Sequence, residues 1–324
     1  MMRFSKFYKK YGIFIILLIV LLFFSIFAEN FFTLSNFVTI LRQVSSLGIV
    51  IMAMSMIMIA GGMDLSVGGQ IAVGGVLVAL MMANFKIPWP LIVLTSILIG
   101  FLFGLINGIL AVKLAIPPMI VTLGTMLILQ SASMVITGGY PIYKIYDEIK
   151  WIGQGWVGPI PVPVIIFVII AAITWFLMNK TYIGHYAYAV GGNINAARLS
   201  GIDTDMFTVF IFSLGGVFVS IASLIVMTRA ASAQPNAGSN TAFDAITAAV
   251  LGGISISGGE GEISSALVGV LIIGMLNNGL LLMGLNSNWQ GVIKGIVLIL
   301  AVGIDSVQRK QKKAKTLKQQ GENK

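Results

Sequence analysis

Ten apolar runs follow one another along this chain, several of them as long as the roughly 20 residues an α-helix needs to cross a bilayer. The first reads "GIFIILLIVLLFFSIFA" (12–28), and the others fall near 38–60, 66–84, 90–112, 116–137, 163–178, 206–228, 241–257, 264–284 and 288–306. A soluble fold could not cover so much apolar surface. Apolar residues make up 57% of the chain and charged residues 10%, against about 25% charged in a soluble domain. Mean hydropathy is +0.98. The expected fold class is therefore all-α, a polytopic integral membrane protein whose backbone polar groups are satisfied inside helices. No polar linker separates the runs, so residues 1–308 read as one transmembrane domain and 309–324 as a basic tail. Two pairs of the shorter runs could be half-helices or re-entrant turns.

Charge orients the spans. The net charge is +9, and it lies at the ends: Arg3, Lys6, Lys9 and Lys10, then Arg309, Lys310, Lys312, Lys313, Lys315, Lys318 and Lys324 against Glu322 alone. Clusters beside the first and last spans follow the positive-inside rule, placing both termini in the cytoplasm and requiring an even number of spans. The same distribution argues against a nucleic-acid partner. The residues before Glu29 make a poor cleavage site, so the first run is expected to persist as an uncleaved helix. Parity puts Lys113, Lys180 and Arg198 inside and segment 138–162 outside. That external segment mixes Tyr140, Tyr143, Tyr146, Trp151 and Trp156 with Gly and Pro, as an interfacial aromatic belt does, and as the longest exterior loop it is the expected external docking surface.

Catalytic chemistry finds little support. There is no cysteine, and His185 is the single histidine, which leaves no thiolate nucleophile and no His-based triad or metal site. The glycine-rich "GGQIAVGG" and "GGISISGGEGE" lack the Lys-Ser/Thr ending of a phosphate-binding loop, so ATP hydrolysis by this chain is not expected. Intramembrane ionisable groups are few: Arg42, Asp64, Asp244 and Lys294. Asp64 and Asp244 read as capping or structural groups, and Lys294 as a snorkelling or carboxylate-paired one. So few acids supply ion coupling poorly.

Neutral polar groups are better supplied. Asp64 together with Ser66, Asn107, Gln130, Ser255, Ser257, Asn277 and Asn278 form the candidate translocation pathway, although each by itself also suits a helix–helix hydrogen bond. The neutral members of that set, with hydroxyls and amides but no fixed charge, favour a polar, uncharged solute. Two internal echoes suggest a repeat of the kind common in transporters: "GGMDLSVGG" (61–69) with "GGISISGG" (252–259), and "GFLFGLING" (100–108) with "GVLIIGMLNNG" (269–279). Parallel and inverted repeats both remain open.

Residues 180–205 form the expected cytoplasmic loop, and "AVGGNINAARLSGID" lies within it. Asn193 or Asn195 can cap a short helix, and Gly201 can take the left-handed position that ends it. A helix this short is marginal in water unless it docks on something. Ala196 and Ala197 permit close approach, while Leu199 and Arg198 offer an apolar and a charged contact.

These segments, with "SAQPNAGSNTAFDAITAAVLGGISISGGEGEI" and "LNNGLLLMGLNSNWQGVIKGIVLILAVGID", resemble the ribose-type permease subunits of bacterial ABC importers, over about residues 30–308. The resemblance implies a multi-pass subunit in the bacterial cell membrane that pairs with a second permease copy or paralogue. It implies an extracytoplasmic sugar-binding protein and a cytoplasmic ATPase, the ATPase carrying ATP-Mg and the permease no cofactor. The coupling loop, carried over, comprises Gly192, Asn195, Ala196, Ala197, Arg198 and Gly201. Relatives usually have an acid after the loop's first asparagine, whereas Ile194 stands here. Ribose or a similar monosaccharide is the implied cargo. An ion-coupled secondary transporter of a small polar solute is the alternative, and a non-transporting membrane scaffold a third reading.

Overall fold

The computed structural model describes residues 2–322, with side chains placed for residues 12–303, Ser306 and Val307. The basic residues of both tails lie outside the placed side chains. Among the described residues thirteen helices occur, in the order α1 (Met2–Phe27), α2 (Leu34–Ile59), α3 (Val67–Asn84), α4 (Trp89–Lys113), α5 (Pro118–Thr137), α6 (Asp147–Gln154), α7 (Val162–Lys180), α8 (Tyr182–Gly192), α9 (Ile194–Leu199), α10 (Thr204–Ala230), α11 (Thr241–Leu251), α12 (Ile263–Leu282) and α13 (Ser287–Glu322). A two-residue hairpin, β1 (Trp156–Val157) and β2 (Ile160–Pro161), lies between α6 and α7. Each of the ten apolar runs contains a helix. Seven, α2–α5, α7, α10 and α12, are long and apolar enough to span a bilayer, and the apolar parts of α1, α11 and α13 are shorter.

The run expected over 241–257 is corrected. Helix α11 stops at Leu251, where Gly253 takes a φ of +81° and its N–H donates to the Val250 carbonyl. Residues 252–262 form a loop, so α11 is a half-helix. The end of α2 is built the same way: Gly61, at φ +86°, donates to Met58 and Gly62 donates to Ile57, matching Gly253 to Val250 and Ile254 to Ala249. This paired bonding is the Schellman cap, for which glycine supplies the left-handed residue. The first sequence echo thus falls on a shared type of helix ending, shifted by one residue, with Gly61 answered by Gly253. The second falls on helices of different rank, since 100–108 lies in α4, the second helix after its loop, and 269–279 in α12, the first after its own.

Helix α2 is the centre of the fold. From Ile49 to Ile59 every residue is buried, as expected of a helix apolar all round. Helices α7, α10, α11 and α12 pack around it. Helix α4 buries Ile92, Ser96, Gly100, Gly104, Asn107, Gly108 and Ala111, one face at helical spacing, and leaves the rest half-buried or exposed. Its glycines let α10 approach backbone to backbone. A Cβ on Gly100 would sit 2.3 Å from the Gly216 carbonyl oxygen, and one on Gly104 2.1 Å from that of Phe212. "GFLFGLING" is therefore a packing seam of the small-residue type.

Candidate coupling segment and solute pathway

Local chemistry builds the segment between α7 and α10. Thr181 caps α8 by accepting the Ile183 N–H, and Asn193 ends α8 while starting α9. Of the two asparagines that could cap, Asn193 does so, its Oδ1 accepting from Asn195 N at 3.1 Å and Ala196 N at 3.0 Å. Gly201 takes a φ of +87°, and Ile202 N returns to the Ala197 carbonyl at 3.1 Å. Ala197 faces inward and is buried, whereas Asn195, Ala196 and Gly192 are exposed. Arg198 reaches forward to α10, donating to Thr204 Oγ1 at 3.0 Å and pairing with Asp205 at 2.6 Å. Both partners of this pair are 58% exposed, so water screens it and it contributes little stability. Leu199 is 90% exposed and Ile194 47% exposed. An uncovered apolar pair on a six-residue helix is the segment's most conspicuous chemistry.

The same segment meets both capped loops. A Cβ on Gly191 would fall 1.9 Å from the Ile59 carbonyl oxygen and 2.6 Å from Gly259 N. One on Gly258 would fall 2.7 Å from the Gly61 Cα, and one on Gly259 2.6 Å from the Gly192 Cα. The backbones of 59–61, 191–192 and 258–259 thus touch with no side chain between them. Tyr188 adds a hydrogen bond to the Gly261 carbonyl at 2.8 Å. Burial of the ring, with Glu262 nearby, raises the Tyr188 phenol above its ordinary range, so it stays a protonated donor. Beside the junction lies a cavity of about 810 Å³ reached by Gly61, Gly192, Ile194, Arg198, Asp205 and Ser257.

The polar pathway candidates separate into groups. Asp64 is fully buried, accepting from Ser66 N at 2.8 Å, from Ser66 Oγ and from Gln70 Nε2 at 3.1 Å. Asn107 of α4 donates to Ser66 Oγ at 2.8 Å, as does Gln70. Ser66 thus gives one proton and accepts two, which ties the start of α3 to α4. Gln70 was missing from the sequence candidates, although its place one turn after Ser66 on α3 is the signal for it. Asn277 donates to Asp244 at 3.2 Å, and Lys294 pairs with the same carboxylate at 2.9 Å. Asn278, on the next residue, accepts from Asn36 at 3.0 Å and bridges α12 to α2. Ser255 is buried, donating to the Gly258 carbonyl at 3.1 Å, while Ser257 is exposed at the cavity and Gln130 half-buried on α5.

At the opposite end, segment 138–162 folds onto the helix ends. Ile142 bridges to Ala233, Lys144 donates to the Ala83 carbonyl, and Tyr146 donates to that of Phe85. Tyr140, Tyr143, Trp151 and Trp156 are exposed. Arg42 stacks 5.4 Å from the Trp156 ring centre and receives at its backbone carbonyl a hydrogen bond from Arg229.

Residues 36–302 match the family described as branched-chain amino acid transport system / permease component. The chain is 40% identical to the ribose import permease protein RbsC of Haemophilus influenzae over 297 residues, covering 90% of this chain and 92% of that one. It is 41% identical to the RbsC protein of Bacillus subtilis over 299 residues, 92% of each. With the D-allose transport system permease protein AlsC of Escherichia coli it shares 36% over 305 residues, 94% of this chain and 93% of that one. No solved structure matches it. With the match running through nearly all of the helical core, the chain belongs to this family of transport-system permease components, alongside import permeases named for ribose and allose.

Proposed function

We propose that the chain is the permease subunit of an ATP-driven ABC importer for a monosaccharide, ribose or a similar sugar. It lies in the bacterial cell membrane with both termini in the cytoplasm. It pairs with a second permease copy or paralogue, receives sugar from an extracytoplasmic binding protein, and carries no cofactor. ATP-Mg belongs to the partner ATPase. The observation that carries the reading is the segment 180–205: a capped, six-residue helix exposes Leu199 and Ile194, and its stem touches the capped loops after α2 and α11 through bare backbone. A partner pressing on α9 therefore has a short mechanical route into the bundle. Gly192, Asn195, Ala196, Ala197, Arg198 and Gly201 form that contact surface or hold its shape. Among the polar residues, Ser257 and Gln130 meet the solute, while Asp64, Ser66, Asn107, Ser255, Asn277 and Asn278 hold the helices that border its path.

The names of the relatives support a sugar, whereas the family description also spans amino-acid carriers, so the test must separate them. In proteoliposomes, uptake of labelled ribose should require the separately supplied ATPase and binding protein. It should persist when the proton gradient is collapsed with ATP maintained. Uptake by this chain alone, abolished by an uncoupler, would establish the ion-coupled alternative, and uptake of leucine in place of any sugar would overturn the cargo.

A further inference from the structure

A second cavity, of about 240 Å³, lies between α3 and α10 under the loop that follows α10, at the end bearing segment 138–162. Its walls include Gly75, Ser223, Met227, Arg229, Ser232 and Gln234. We propose that this cavity is a loading station where one monosaccharide ring rests on its way inward, with Arg229 and Gln234 as its donors and Gly75 as its floor. The inference rests on the sugar-import reading above and deepens it.

The donor and acceptor inventory fits a neutral polyol. Ser223 donates its proton to the Ile71 carbonyl at 2.8 Å, and Ser232 donates its own to the Ala230 carbonyl at 3.2 Å. Both hydroxyl oxygens keep acceptor capacity for the O–H groups of a sugar. Arg229 has five N–H donors and uses one on the Arg42 carbonyl at 3.3 Å. Among the described residues no carboxylate pairs with Arg229, and none lines the cavity to receive an ammonium group. That combination takes hydroxyl oxygens and offers no charge partner to the ammonium group of a free amino acid. Met227 and Ile71 supply apolar surface for the C–H face of a ring.

Size points the same way. The volume lies below the roughly 300–1,000 Å³ of pockets for drug-sized ligands, so it holds a single small ring. The floor is open because Gly75 carries no side chain, and helix packing does not require that. A Cβ there would meet Ser223 Oγ at 3.5 Å and the Met227 Cβ at 3.8 Å, ordinary contacts, whereas Cβ atoms on Gly68, Gly100 or Gly104 would collide with backbone at 2.1–2.3 Å. The missing side chain at 75 leaves space where the seam glycines leave contact.

The test uses the importer assembled with its ATPase and binding protein, with labelled ribose and a labelled hexose as probes. Gly75→Val should raise the half-saturating concentration for the hexose more than that for ribose, by roughly tenfold, the discrimination typical of one or two carbons in a closed pocket. Arg229→Gln should weaken uptake of both sugars while the permease still co-purifies with its ATPase. Should Gly75→Val fail to assemble, Gly75→Ala, whose methyl fits at van der Waals distance, is measured in its place. Sugar uptake by the wild type with unchanged saturation and selectivity in Gly75→Ala and Arg229→Gln would overturn the station and leave the import reading standing. Absence of any sugar uptake by the wild type would remove that reading itself. Stronger inhibition by a sugar acid than by the neutral sugar would overturn the polyol assignment, because Arg229 would then be serving a carboxylate.

Discussion

The amide nitrogen of Gly259 donates to the carbonyl oxygen of Ile59 at 2.9 Å, joining the loop after α11 to the last turn of α2. Gly191 lies against both atoms' neighbourhoods, so three stretches remote in sequence share one backbone junction. Such a joint is stiff while it is closed, since no side chain can yield within it, and a single added carbon is enough to open it.

Two adjacent glycines test this. Gly191→Ala places a methyl 1.9 Å from the Ile59 oxygen, so the junction must part. Gly192 lies outside the left-handed region, and no atom stands within 4 Å of the place its methyl would take. Gly192→Ala therefore relieves the unfolded chain of entropy at no steric cost. Gly191→Ala should reduce sugar uptake at least tenfold, with ATP hydrolysis no longer tied to transport, whereas Gly192→Ala, whose methyl meets no atom of this chain, should leave the junction closed and cost far less. Equal behaviour of the two variants in paired uptake and hydrolysis assays would sink the idea that the junction carries force.

The α4–α10 seam yields a second contrast. Gly104→Ala drives a methyl into the Phe212 carbonyl, overpacking that costs about 1–3 kcal/mol. Gly124→Ala on α5 meets nothing within 4 Å and should be neutral or slightly stabilising through helix propensity. Unfolding midpoints of the purified protein in detergent should fall for the first and hold or rise for the second.

What the sequence discloses, and what it conceals, follows from the range of each interaction. Asn193 and Gly201 were readable because caps and left-handed turns are decided by a few neighbouring residues. Most of the apolar helices were readable because bilayer thickness imposes a length on a spanning run, and seven of the ten runs hold a helix of that length. The end of α11 at Leu251 was not, since "ISI" is apolar enough to continue a helix and only the cap at Gly253 stops it. Gly191 carried no signal at all, because its need for a bare Cα arises from Ile59 and Gly259, far away along the chain. Gln70 shows the intermediate case: its spacing from Ser66 was visible, but only the fold brings Asn107 to the same hydroxyl.

Docking on α9 should depend on its exposed apolar pair more than on the ion pair behind it. Leu199→Glu, at a position 90% exposed, should leave folding intact and abolish most co-purification of the ATPase. Arg198→Glu sets a like charge against Asp205 and should also weaken co-purification. Asp205→Asn, which removes only a screened surface pair, should change the unfolding midpoint little. Undiminished co-purification in both Leu199→Glu and Arg198→Glu would make α9 an ordinary connector.

The ion pair between Asp244 and Lys294 offers the sharpest stability test. Its side chains are 11% and 17% exposed, and it fastens the half-helix α11 to α13, with Asn277 of α12 donating to the same carboxylate oxygen. Removing one partner of such a pair leaves the other charge shielded from water and unneutralised, a loss of about 3–5 kcal/mol. Asp244→Asn should therefore lower the unfolding midpoint clearly. Asp244→Asn combined with Lys294→Met removes both charges together and should recover much of the loss, because a neutral pair demands no solvation. A double-mutant cycle on detergent-purified protein reads this coupling directly. Additive losses in the double variant would show that the two residues stabilise α11 independently, and the pair would then not be what holds the half-helix in place.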